Sequence, residues 1–180
     1  MVRSFRFWVV ALVLSGAVSA EAGAYDETAR DWIRGVFTGH SPRTAALSEA
    51  DAWREAIDLV SRTPGSFVLV GTGRSMQPLY PAGTILILRD TPYSDLRRGQ
   101  TVVYRNRDQR AVGHVLIAKA RDGWRVQGLN NRTHDREPVV AENLIGVVVA
   151  AFTPRLEADR QVAGARQPAG RAVFLSDGDR

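Results

Sequence analysis

The sequence predicts a mainly β (α+β) fold: a coiled antiparallel β-sheet or partial barrel, preceded by a helical amino-terminal segment. Three observations predict it. From Phe67 onward the chain breaks into short runs rich in β-branched residues. Gly, Pro, Asn and Asp separate these runs, as in compact sheet domains. Before Phe67, apolar residues recur at helical intervals instead.

The elements follow in chain order. Arg3 and Arg6 precede the apolar run Phe7–Leu14, which small residues continue to Ala20. This pattern reads as a signal peptide over 1–20, cut after Ala20. The apolar run of about 14 residues falls short of the roughly 20 that span a bilayer. The expected location is therefore exported, periplasmic or otherwise extracytoplasmic. The alternative is a retained single-pass membrane anchor with the folded domain outside. Residues 26–62 read as the helical segment. Ala29, Trp32, Ile33, Val36 and Phe37 share one helical face. A second helix begins at Ser48, with Asp51 three residues on as its capping partner. Its stripe is Trp53, Ala56, Ile57 and Val60, and Thr63-Pro64-Gly65 stops it. Strands are expected at Phe67–Val70, Thr84–Leu88, Thr101–Tyr104, Ala111–Ala118, Trp124–Gln127 and Leu144–Phe152. These make a β domain over 67–152. Residues 155–180 are rich in Ala, Gly, Arg and Asp with little periodicity, and read as a flexible tail. Within it, Ala172–Leu175 reads as a short strand or a docking segment.

Composition narrows the function classes. The chain has 180 residues and no cysteine. Disulfides, thiolate metal sites and a cysteine nucleophile are thereby excluded. The net charge is +5, but the basic residues are scattered among acids, so the surface is read as mixed and solvated, with no nucleic-acid partner. No spacing of His, Asp and Glu matches a metal motif, and no cofactor is implied.

Three segments carry residues fit for chemistry. Gly71-Thr-Gly-Arg-Ser-Met-Gln-Pro78 follows an apolar strand, and its glycines permit a sharp turn that projects Ser75. His114 stands in an apolar strand, and imidazole is a base suited to activating a serine near neutral pH. Gly128-Leu-Asn-Asn-Arg-Thr-His-Asp135 brings a carboxylate that can fix the tautomer of that imidazole.

In order and spacing these segments resemble the Ser-His branch of the signal peptidase I family, the endoplasmic reticulum, archaeal and sporulation type. The matching residues are Ser75-Met76-Gln77-Pro78, Gly99-Gln-Thr-Val-Val-Tyr104, His114-Val-Leu-Ile117, Gly128-Leu-Asn-Asn131 with Asp135, and Leu144-Ile-Gly-Val-Val148. The resemblance covers roughly 67–152. It implies a signal peptidase-type fold and a serine endopeptidase with Ser75 as nucleophile, His114 as base and Asp135 as its orienting carboxylate. It also implies substrate contacts at Met76 and Pro78. The implied partner is a polypeptide, an exported or precursor protein, met at or near a membrane surface. Gln100, Val115 and Leu129 depart from the family's usual Asp, Arg and Asp. These departures keep an inactive binding module on the same scaffold open as an alternative, and Ala-Gly bonds at 22–23, 82–83, 163–164 and 169–170 keep open a self-cleaving regulator. A related branch uses lysine as base. Lys119 is the only lysine here, and in a regular strand it faces away from His114.

Overall fold

A computed structural model describes residues 29–155 and 173–175. The expected signal segment and most of the expected tail lie outside the described residues. What is described is mainly β, with one α-helix and no closed barrel.

The described residues open with a single 3-10 turn, Ala29–Asp31, and a small hairpin in place of the first expected helix. Trp32–Ile33 (β1) pairs antiparallel with Val36–Phe37 (β2). The turn between them is Arg34-Gly35, at φ 49° and 80°. Two successive positive-φ residues form the tight turn that suits a hairpin's twist, and Gly35 adopts its conformation without strain. Four of the five apolar residues, Trp32, Ile33, Val36 and Phe37, satisfy both a helical period and two short strands, and the turn decides between them. Val36 and Phe37 are buried, and the Phe37 ring lies 5.6 Å from that of Trp32. Thr44–Leu47 (β3) follows as a strand. Among the described residues of the segment 26–62, α-helix is thus confined to the second half.

That half is Glu49–Arg62 (α1). Ser48 caps it as expected, its Oγ accepting the Asp51 N–H at 3.2 Å. Ala52 and Ala56 are fully buried against Ile85 and Ile87, with Trp53 and Val60 packed beside them. Ile57 departs from the expected stripe and is 49% exposed.

The remaining strands are Ser66–Gly71 (β4), Ile85–Arg89 (β5), Thr101–Arg105 (β6), Ala111–Ala120 (β7), Gly123–Gln127 (β8) and Leu144–Pro154 (β9), with Val173–Leu175 (β10) at the far end. They make one sheet in the order β10-β4-β5-β9-β6-β7-β8, and β3 joins β9. Pairing is antiparallel except for β3 with β9 and β10 with β4. β9 is the joint of the sheet. Its first residues pair with β6, its middle with β5 and its end with β3. Register shifts in both the β5 and β6 ladders bend the sheet there, as extra residues in a ladder do.

Alternation along the strands divides the interior. Leu69, Leu86, Leu88, Val103, Val115 and Val148 face a core shared by both halves of the sheet. Ile85 and Ile87 face α1. Val102, Tyr104, Val112, Leu116 and Val126 face a third cluster with Trp124 and Val139.

Candidate active site

Ser75 sits in the turn after β4, half-buried. Backbone bonds hold this turn from both sides: Gly83 N–H donates to the Gly71 carbonyl at 2.7 Å, and Tyr80 N–H to that of Met76 at 3.0 Å. The Asn130 N–H donates to the Ser75 carbonyl at 2.7 Å, which ties the Ser75 turn to the loop after β8.

His114 lies on β7 and is 2% exposed. It shares a sheet face with Val112 and Leu116, and Val102 stands opposite it on β6. Its Nε2 is 3.0 Å from Ser75 Oγ and its Nδ1 is 2.5 Å from Asp135 Oδ2. A proton on Nδ1 is donated to the carboxylate, which leaves the Nε2 lone pair to accept from the Ser75 hydroxyl. The three sequence-selected residues therefore stand in one hydrogen-bonded row. Asp135 is anchored by its own N–H, which donates to the Val126 carbonyl at 2.9 Å.

Two contributors were not singled out from the sequence. Tyr104 lies diagonally across from His114, and its hydroxyl donates to Asp135 Oδ2. Burial, and then the Asp135 charge, push the Tyr104 phenol well above its usual range, so it remains a donor. Gly128 lies so close that a Cβ there would stand 2.8 Å from His114 Nε2 and 2.9 Å from Asn131 Nδ2. The Gly-x-Asn-Asn run signalled this loop, and the Tyr closing the β6 motif was in view without a role.

Of the two expected substrate contacts, Met76 is buried in the shared core and Pro78 is exposed. Met76 also lines a small cavity of about 30 Å³ beside Ser75, with Gly71, Gly73, Tyr80 and Leu86. Pro78 does not line it. A far larger groove of about 1310 Å³, which His114 also lines, lies between the β6–β7 turn and residues 130–137. His134 is exposed, with Nδ1 2.7 Å from the Asp135 carbonyl oxygen, outside the row.

Lys119 requires a correction. A register shift between Leu116 and Ala118 puts it opposite Trp124, on the face that His114 shares, not the opposite one. The extra residue in β7 reverses the alternation. Its Nζ nevertheless lies over the Tyr93 and Trp124 rings, at 5.9 and 6.0 Å from their centroids, and is not bonded to Ser75.

A family model described as Peptidase S24-like matches residues 33–149. That span holds Ser75, His114 and Asp135, and it also takes in the hairpin and α1. No curated protein and no solved structure matches the chain.

Proposed function

Since the chain belongs to the Peptidase S24-like family, which makes it a serine peptidase or self-cleaving regulator in type, we propose that it is an endopeptidase cutting exported polypeptides in the manner of the signal peptidases. The observation that carries this reading is the row Ser75 Oγ, His114, Asp135, at 3.0 and 2.5 Å. These are hydrogen-bonding distances for a nucleophile and its base.

The chemistry proceeds through an acyl-enzyme. Ser75 Oγ attacks the scissile carbonyl while His114 Nε2 takes its proton. The C–N bond then breaks, and Nε2 returns the proton to the leaving amine. Water repeats the sequence, freeing the acid and restoring Ser75. Asp135 orients the imidazole and stabilises its cation, and Tyr104 holds Asp135. The Ser75 N–H has no hydrogen-bond partner among the described residues and is free for the oxyanion. The cavity beside Ser75 has room for about a methyl group, which supports small side chains next to the cut.

Export belongs to this reading through residues 1–20, with a mature protein beginning near Glu21. Among the described residues no helix is long and apolar enough to cross a membrane. Amino-terminal sequencing of the native protein tests this part. A start near Glu21 is expected, and an intact Met1 or Val2 in the membrane fraction would replace release by anchoring.

The catalytic reading is tested by labelling the protein with a serine-directed acylating probe and mapping the adduct. A single adduct on Ser75, absent in Ser75→Ala, is expected. A folded protein that takes no label, or takes it elsewhere, removes the assignment and leaves the binding-module alternative.

A further inference from the structure

The large groove borders the reacting residues. His114 and Asp135 both line it, and so does Asn130, whose N–H holds the Ser75 carbonyl at 2.7 Å. Its two walls are the β6–β7 turn and the loop after β8. The Arg107 N–H joins them by donating to Glu137 Oε2 at 2.7 Å. Arginines stand on both walls, Arg107 and Arg110 on the turn, Arg132 and Arg136 on the loop, all exposed. A fifth comes from far away in sequence. Arg34, in the turn of the β1–β2 hairpin, donates from Nη1 to Asn130 Oδ1 and so brings its guanidinium to the Ser75 end of the groove.

The acids of the groove do not offset this set. Among the described residues, none of the five guanidiniums is in an ion pair. Asp135 is held by His114 Nδ1 and the Tyr104 hydroxyl, and Glu137 accepts the Arg107 N–H, which leaves Asp108. Other arginines do find carboxylates three or four residues away, as Arg54 with Asp51, Arg62 with Asp58 and Arg125 with Asp122 show. A guanidinium presents two parallel N–H bonds that fit a carboxylate. An extended chain turns successive side chains to opposite sides, so neighbouring carboxylates on one reach arginines on both walls.

We propose that the groove receives an acidic stretch of the polypeptide substrate, on the leaving-amine side of the cut. This rests on the peptidase reading and names a substrate class for it. The chemistry chooses the side. The acyl group is bonded to Ser75 Oγ in the intermediate, and its small side chain goes to the cavity that Ser75 and Met76 line. The leaving amine must come within reach of His114 Nε2 to take its proton, and His114 borders the groove. The residues that follow the cut are thereby led among the guanidiniums. Each exposed pair is weak by itself, so the preference is built from several together.

The test uses the full chain and peptides that share a small-residue cut site. They carry aspartates after the cut, aspartates before it, or asparagines in both places. Aspartates after the cut are expected to raise kcat/KM about tenfold over asparagines, through KM, with the gain fading as salt is raised. Aspartates before it are expected to give no gain. Arg110→Gln with Arg132→Gln, one from each wall, is expected to reduce the advantage to about twofold or less, with circular dichroism unchanged. Equal kcat/KM for the acidic and asparagine peptides overturns the proposal. So does an equal gain from aspartates before the cut, or an advantage that survives the double substitution. Binding is read apart from catalysis, by anisotropy of the labelled peptides on Ser75→Ala. Tighter binding of the peptide with aspartates after the cut is expected, and equal binding overturns the proposal. A single-stranded oligonucleotide of the same charge that binds more tightly also overturns it, because the groove would then be a nucleic-acid site. If the acidic peptide binds preferentially but Ser75 takes no acylating probe, the peptidase reading falls and the groove stands as a site for acidic chains.

Discussion

Asp135 Oδ2 receives two donors, His114 Nδ1–H and the Tyr104 hydroxyl. Hydrogen bonds to a charged acceptor contribute about 1.5–3 kcal/mol each. Tyr104→Phe keeps the ring in its cluster and removes one of them. Turnover should fall by roughly tenfold as Asp135 loosens, since each 1.4 kcal/mol is a factor of ten. Steady-state kinetics on a responsive peptide check this, and an unchanged kcat would remove Tyr104 from the relay. The same substitution has a pH signature. Tyr80 and Tyr104 both have phenols raised by burial. The folded state therefore holds its protons more tightly than the unfolded chain. This stabilisation is complete below the ordinary phenol range, near pH 10, and declines as pH rises above it. Urea midpoints should fall above about pH 10, less steeply in Tyr104→Phe. Gly128 makes a sharper case. A methyl group there would stand 2.8 Å from His114 Nε2 and must displace the imidazole or the loop. Gly128→Ala should slow labelling of Ser75 by about a hundredfold, the scale of an ångström's misplacement, with circular dichroism unchanged. Wild-type labelling would show that the base tolerates the shift.

At the scale of elements, α1 is held by its cap and by two alanines. Ser48→Ala should cost about 1 kcal/mol, the usual range for a lost N-cap. Ala56→Leu should cost about 1–3 kcal/mol, because Ile85 and Ile87 leave it no room. Denaturant titration measures both, and a stabilising Ala56→Leu would mean that α1 can lift from the sheet. These elements also show what was legible beforehand. The six strands from Phe67 to Phe152 were readable to within one or two residues, because β-branched runs and Gly/Pro/Asn turns agree with one another there. The cap at Ser48 was readable because it needs only local chemistry. The first hairpin was not, since Trp32, Ile33, Val36 and Phe37 fit two periods and only the backbone at Arg34-Gly35 separates them. The facing of Lys119 was missed because a register shift leaves no mark in composition. For the site, Ser75, His114 and Asp135 stood in segments with recognisable spacing. Tyr104 and Gly128 act through contacts between strands and loops far apart in sequence, which no single run discloses.

Over the whole molecule, the site joins parts that are far apart in the chain. Ser75 follows β4 in one half of the sheet, and His114 and Asp135 belong to the other. The halves meet at β9, which pairs with β5 on one side and β6 on the other. Ile87 is wholly buried in the first half, beside this joint. Ile87→Ala should destabilise the whole fold by about 2–5 kcal/mol, within the range for buried aliphatic truncations. A single cooperative transition, followed by both tryptophan fluorescence and probe labelling, is expected, and two separate transitions would count against one cooperative unit. The late position of β9 has a further consequence, in the order of synthesis. A ribosome delivers β4–β5 first and β6–β8 next, and neither hairpin set has its bridging partner until residues 144–154 emerge. Non-local pairings of this kind close last and set the folding rate. On the proposed peptidase reading, the growing polypeptide would thus carry Ser75 and His114 as strangers through most of translation, and reactivity would arrive as one late event. Stalled nascent chains of graded length should show this as a step. Those with β9 still inside the exit tunnel should take no serine-directed label, and those with it fully exposed should take it stoichiometrically.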